Sequence, residues 1–186
     1  KEMTTYTGLV TLVQLSACVL GDKNKMSYDA GISYIKNVLE ATRTLQQHPD
    51  DLDARGIIMM GASLSTSSRI GIGKEESFAY DIYELEFLPE KLFGSPYRRS
   101  LTAVFPRFLC AMGKHHPKEV EKYYLDAFGF DSSIEDSSRK LIELFSNLGI
   151  EMFYDGQITR NQVDCIPCHT ELDREEIFDI INSLIQ

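Results

Sequence analysis

The chain has 186 residues, with 19 Lys and Arg against 28 Asp and Glu, for a formal charge of −9. A surface of that sign repels nucleic acid and anionic membranes as a mean field, so neither is expected as a partner. The length suffices for one substantial core, burying about 70% of the unfolded surface without disulfide or metal staples, and a single domain over residues 1–186 is expected. The four cysteines, Cys18, Cys110, Cys165 and Cys168, are too few and too unevenly placed for a disulfide scaffold, which points to the reducing cytoplasm.

In chain order, Gly8 to Leu20 is apolar enough to form a helix packed on most sides. It falls short of the roughly 20 residues a bilayer requires, and Thr11, Gln14 and Ser16 interrupt any signal-like run. It reads instead as a buried or interface helix. Ser27 is placed to cap a second helix running through Leu45, in which Ile32, Ile35, Val38 and Leu39 recur at helical spacing. Asp50 or Asp51 caps a third, with Leu52, Ile57, Met60 and Leu64 as its apolar period. Its second half is small and hydroxylic, so close backbone approach is expected and the helix is placed through the middle of a bundle. Gly71 to Gly73 would end it.

Further helices are predicted over Ser77 to Phe87, Arg99 to Met112, Lys118 to Phe128, Ser132 to Leu148 and Asp173 to Ile185. Pro106 predicts a kink or break, because it lacks an amide hydrogen and crowds the preceding turn. Gly149 is a natural stop, and Ile150 to Gly156 reads as a bent loop. No strand ladder or internal repeat is found, so the expected fold class is all-α, an irregular multi-helix bundle. No strand, Gly-rich loop and helix unit for a dinucleotide is found, since Gly71 to Gly73 follows a helix.

Two clusters carry possible chemistry. Tyr83, Glu84, Tyr97, Arg98 and Arg99 flank a predicted turn at Pro89 to Pro96. The plainest account is a set of solvated surface side chains; alternatively, two guanidinium forks and two phenols could take a small anionic or polar ligand, or serve a protein interface. Cys165 to His169 matches the C-x-x-C-H of haem attachment and the C-x-x-C of thiol redox sites. A redox role needs a lowered thiol pKa, which a helix starting near Leu172 would help supply; ordinary loop cysteines are the plainer account. A closed zinc site of four cysteines would have to recruit distant Cys18 and Cys110. His115 and His116 are expected on an exposed loop before a helix whose start Pro117 favours.

The order of these segments resembles the C-terminal domain of the iron-containing alcohol dehydrogenases, in particular the butanol dehydrogenase-like branch with its dehydroquinate synthase-like helical fold. The stretch from Asp51 to Gly73, the run Tyr83 to Glu86 and the run Tyr97 to Pro106 carry the likeness, and Cys168 to Leu184 is similar to the family's last helix and its approach. His169 falls near a family histidine that is not a metal ligand. The resemblance places Tyr83 and Tyr97 at the two later metal-ligand histidines. The earlier Asp and His pair falls on Thr11 and Leu15, or on Val10 and Gln14 if the register slips by one.

None of these residues is a good ligand for iron or zinc, so the resemblance implies a domain without metal, catalytic residues or resident cofactor, descended from relatives that use NAD(P) and iron or zinc. A structural role, or binding of a small polar or anionic ligand, follows as the leading expectation, with a homodimer implied by the family and the Gly8 to Leu20 segment as a candidate interface. One alternative is the C-terminal domain of an NAD(P)-dependent alcohol or aldehyde oxidoreductase. The start at Lys1 rather than Met makes a piece of a longer two-domain protein the expectation. A thiol-dependent module at Cys165 and Cys168 is another alternative.

Overall fold

The computed structural model describes residues 2–21, 24–67, 70 and 77–186. Among these residues the chain is helical, without strands, as the apolar periods predict. No helix among them is long and apolar enough to cross a membrane.

The first helix, α1 (Glu2–Val19), starts earlier than expected and is apolar all round, the pattern of a helix enclosed by protein. Leu9, Leu12, Val13, Leu15 and Val19 are fully buried. Each such side chain contributes about 1.5–3 kcal/mol over an exposed one. Its polar groups bond within the fold: Ser16 Oγ donates to the Leu12 carbonyl at 2.7 Å and also meets the buried Tyr123 hydroxyl. Apart from the half-buried Val10 and Gln14, the Gly8 to Leu20 segment is therefore consumed by the core.

Helix α2 (Lys25–Gln47) is capped by Asn24, whose side chain accepts from the Ser27 amide at 3.1 Å, so Ser27 lies in the first turn instead of at the cap. Its expected stripe of Ile32, Ile35, Val38 and Leu39 is buried. Helix α3 (Leu52–Thr66) is capped by Asp51, which accepts from the Ala54 amide at 2.8 Å. Its expected apolar face is only partly right: Leu64 packs against the core, but Leu52 is 81% and Met60 61% exposed while Ala54, Ile58 and Gly61 face inward. The reason is distance. A Cβ on Gly61 would stand 2.7 Å from Val38 Cγ2 and 3.1 Å from Thr11 Cγ2, so at that turn only glycine fits. Helix α3 lies at the edge of the bundle and not in its middle. The expected stop at Gly71 to Gly73 lies outside the described residues, and the helix ends at Thr66.

The single helix expected over Ser77 to Phe87 is instead a 3-10 turn (Phe78–Asp81) followed by α4 (Ile82–Leu85). Ser77 anchors the turn by donating to the Leu20 carbonyl at 2.7 Å and accepting from the Ala79 amide at 3.2 Å. The predicted turn after it is largely helix α5 (Phe87–Phe93), ended by Gly94 at φ 65°.

Helix α6 (Tyr97–His115) is the second enclosed helix, buried without interruption from Ser100 to Leu109. Pro106 does not break it. Ser138 Oγ donates to the Pro106 carbonyl at 2.8 Å, and Arg107 Nη1 to the Ala103 carbonyl at 2.8 Å, so side chains reinforce the ladder where proline weakens it. Helices α7 (Pro117–Phe128) and α8 (Ile134–Asn147, capped by Ser133) follow as expected, while the short α9 (Arg160–Asp164) is not among the predicted elements. Helix α10 (Arg174–Asn182) begins with a capping box of Asp173 and Glu176. The Ile150–Gly156 stretch is non-helical, with Tyr154 bridged in parallel to Ile185. In all, α2 and α3 pack on α1, α1 on α6, and α7, α8 and α10 on α6.

A Cβ on Gly31 would lie 2.2 Å from Val19 Cγ2, whereas one on Gly56 meets nothing within 4 Å. Gly31→Ala is therefore expected to lose about 1–2 kcal/mol in urea unfolding despite its better helix propensity, while Gly56→Ala gains up to about 1 kcal/mol. Equal effects at the two positions would contradict the close approach of α1 and α2.

Candidate functional site

Three elements bring their side chains together at one place: Gln14 from α1, Tyr83 from α4 and Tyr97 from the start of α6. Gln14 Nε2 donates to the Tyr97 hydroxyl at 3.4 Å, and Gln14 Oε1 accepts from Ser65 Oγ at 3.3 Å. Cys18, one turn further along α1, donates to the Ser65 carbonyl at 3.5 Å. The Tyr80 ring stacks on Tyr83 with centroids 6.3 Å apart. Burial pushes the Tyr83 phenol well above its ordinary range, with Tyr97 adding to the effect. Tyr97 is raised too, by burial first, while the Gln14 bond opposes. Both are neutral hydroxyls at physiological pH.

The two candidate registers on α1 separate here. Thr11 and Leu15 are buried and lie against Gly61 of α3. Gln14 is the α1 residue that shares the site with the tyrosines, and Val10, half-buried, packs against the core.

Glu86 belongs to this site and is not among the residues the sequence singles out. It is 2% exposed and its Oε2 has no hydrogen-bond partner. A buried orphan of this kind costs about 1–3 kcal/mol. Desolvation, followed by the charge of Glu90, pushes its carboxyl up to about 7, and its own charge raises Tyr83 and Tyr97 in turn. The available signal was its spacing: three residues after Tyr83, on one side of a helical turn.

Glu84, Arg98 and Arg99 do other work. Glu84 accepts from the His169 amide at 3.3 Å, and Asp81 from the Glu171 amide at 2.9 Å, so both hold the loop before α10. Arg98 lies 5.8 Å over the Tyr6 ring. Arg99 donates to the Phe153 carbonyl at 2.6 Å, pairs with Glu151 at 3.0 Å and covers the Tyr154 ring at 4.3 Å. Arg99 therefore ties down the 151–154 segment while Arg98 covers Tyr6, and neither guanidinium is placed with the phenols of Tyr83 and Tyr97 in an anion site.

The cysteine motif is also differently placed. Cys165 is exposed and Cys168 partly buried, and burial, with Glu84 next, pushes the Cys168 thiol up to about 11. Helix α10 starts at Arg174 rather than near Leu172 and is already capped by Asp173, so its N-terminus does not stabilise a Cys168 thiolate. That setting disfavours thiol nucleophilicity. His115 and His116 are not on a free loop: His115 ends α6 and bonds Glu176 at 3.0 Å, while His116 bonds Glu171 at 2.6 Å and stacks on Phe78 at 4.1 Å.

Among the described residues, no group of three or more His, Cys, Asp or Glu side chains could hold a metal ion. The donors at the site itself are a carboxamide, two neutral phenols and one carboxyl that is readily protonated. Iron and zinc take imidazole, thiolate or ionised carboxylate, so this set does not fit them.

No protein-family model and no curated protein matches the chain. Solved structures do. The NADH-dependent butanol dehydrogenase A of Thermotoga maritima superposes over 100% of this chain and 52% of its own, with TM-score 0.82 and 16% identity. The aldehyde reductase YqhD of E. coli covers 82% of this chain and 41% of its own, with TM-score 0.71 and 15% identity. An iron-containing alcohol dehydrogenase from Corynebacterium glutamicum covers 98% and 52%, with TM-score 0.65 and 16% identity. The chain thus has the fold of about half of such a dehydrogenase, and the resemblance read from the order of its segments holds at the level of fold.

The raised Glu86 carboxyl gives a signed pH dependence. The unfolded chain releases this proton near 4.5 and the folded chain near 7. Between those values the folded state binds more protons, so its contribution to stability falls as pH rises, by about 3 kcal/mol in all. Glu86→Gln should remove that slope, so that the variant gains on the parent between pH 4.5 and 7 in urea titrations. Parallel stability profiles would refute it.

Proposed function

We propose that this chain is the helical domain of an iron-alcohol-dehydrogenase-like protein that has lost metal-dependent catalysis and serves a structural or polar-ligand-binding role. The observation that carries the reading is the Gln14 to Tyr97 hydrogen bond, with Tyr83 beside it. Three positions that the family resemblance gives to metal ligands hold an amide and two phenols. In a metal-dependent relative the ion would act as a Lewis acid on an alcohol or carbonyl oxygen. These residues do something else. The phenols, raised by burial, are hydrogen-bond donors and not bases at neutral pH, and Gln14 orients Tyr97.

The proposal assigns this chain no resident metal or nicotinamide. The covering of about half of the dehydrogenases it resembles supports a place in a larger two-domain protein. A homodimer and residence in the cytoplasm belong to the same proposal. The thiol-dependent reading is set aside because burial holds the Cys168 sulfur protonated.

Elemental mass spectrometry on protein expressed in iron- and zinc-rich medium and gently desalted tests the reading. Well under about 0.1 iron or zinc per chain is expected, since no adequate ligand set is present among the described residues. A near-stoichiometric metal content that Tyr83→Phe or Gln14→Ala abolishes would overturn it.

A further inference from the structure

The site of Gln14, Tyr83 and Tyr97 has two layers. Outside are aromatic rings, with Tyr80 46% and Tyr97 40% exposed and Tyr83 half-buried beneath them. Inside is Glu86, 2% exposed, with a carboxyl oxygen that no donor reaches. On the same short stretch of chain Asp81 and Glu84 accept from the Glu171 and His169 amides, Lys91 is exposed, and Glu90 is the charge that acts on Glu86, while Arg98 and Arg99 are turned to Tyr6 and to the 151–154 segment. An anion would therefore meet the carboxyls of Glu86 and Glu90 with neither arginine turned toward it. A cation would meet electron-rich ring faces and an unsatisfied carboxyl oxygen, the two features that recognise ammonium groups.

We propose that Tyr83, Tyr97 and Glu86 form a recognition site for a small organic ammonium ion, a primary amine whose N–H groups donate to Glu86 Oε2 while its head lies against the tyrosine rings. The proposal rests on the polar-ligand reading above and specifies its ligand class. Tyr97 is the gate of the site. The Glu86 oxygen is closed to solvent as it stands, so a ligand reaches it only if a side chain turns; Tyr97 is the most exposed member of the trio, and its hydroxyl is held by a long 3.4 Å bond from Gln14. The chain's charge of −9 concentrates cations near the surface and works in the same direction.

Calorimetric titration of the 186-residue chain at pH 8 with n-butylammonium, and with butan-1-ol as its neutral counterpart, tests the assignment. Butylammonium is expected to bind at least tenfold more tightly than the alcohol. Glu86→Gln should weaken it about tenfold or more, Tyr97→Ala by about three- to tenfold, and Glu86→Asp should keep part of the affinity. Circular dichroism establishes that each variant is folded. Unchanged affinity in folded Glu86→Gln would mean diffuse attraction by the acidic surface and would overturn the proposal. Equal binding of alcohol and amine, both sensitive to Glu86→Gln, would overturn the ammonium assignment and leave the polar-ligand reading standing. Binding of neither probe would overturn both, leaving a structural role.

Discussion

Helix α1 can be enclosed on every side only because α2 and α3 come within glycine distance of its neighbourhood. A Cβ on Gly8 would stand 2.1 Å from Thr42 Oγ1, and one on Gly31 2.2 Å from Val19 Cγ2, so α1 and α2 touch nearly backbone to side chain at both ends. Gly61 does the same for α3 against Val38. Interiors packed at this density do not yield by small amounts, so the position of α1 is set sharply by these contacts. Everything on the other side of α1, including its seam with α6, inherits that position.

That seam is where the candidate site lies. Gln14 reaches across it to Tyr97, and Ser16, half a turn on, reaches Tyr123 of α7. A helix buried all round must settle its polar side chains on partners from other elements, and each of these bonds fixes the rotation of α1 as well as its place. Rotation is what brings Gln14 to Tyr97 and to Ser65 of α3, and seats Thr11 and Leu15 against Gly61. The site's electrostatics follow from the same enclosure: a carboxyl with no donor and two phenols in a poorly hydrated place all hold their protons more tightly than in water.

Much of the fold was legible because helical periodicity and caps are local. The Asp51 cap, the stop at Gly149 and the buried stripe of α2 are decided within a turn or two of chain. The face of α3 was misread for a physical reason. Large apolar residues normally mark the inward side, and Ile58 does face inward, but at the closest approach the inward position has room only for Gly61, and Leu52 and Met60 are left outside. Arg99 was misread because its partners, Glu151, Phe153 and Tyr154, lie some fifty residues away in sequence, and Arg98 because Tyr6 lies further still. Tyr83 and Tyr97 were singled out within the aromatic and charged cluster and again by the family resemblance, whereas Glu86, despite its spacing from Tyr83, was passed over because nothing local shows that it is buried.

The helical class, most helix ends, the acidic surface and the kinship in fold with the iron-containing alcohol dehydrogenases could be read from the chain alone, since composition, period and the order of segments are properties of the sequence. Packing was needed to bring Gln14 to Tyr97, to set Arg99 on the 151–154 segment, to raise the Cys168 thiol by burial and to leave Glu86 buried without a donor. Those are facts about desolvation and about distances between residues remote in sequence, and neither is set until the helices have packed.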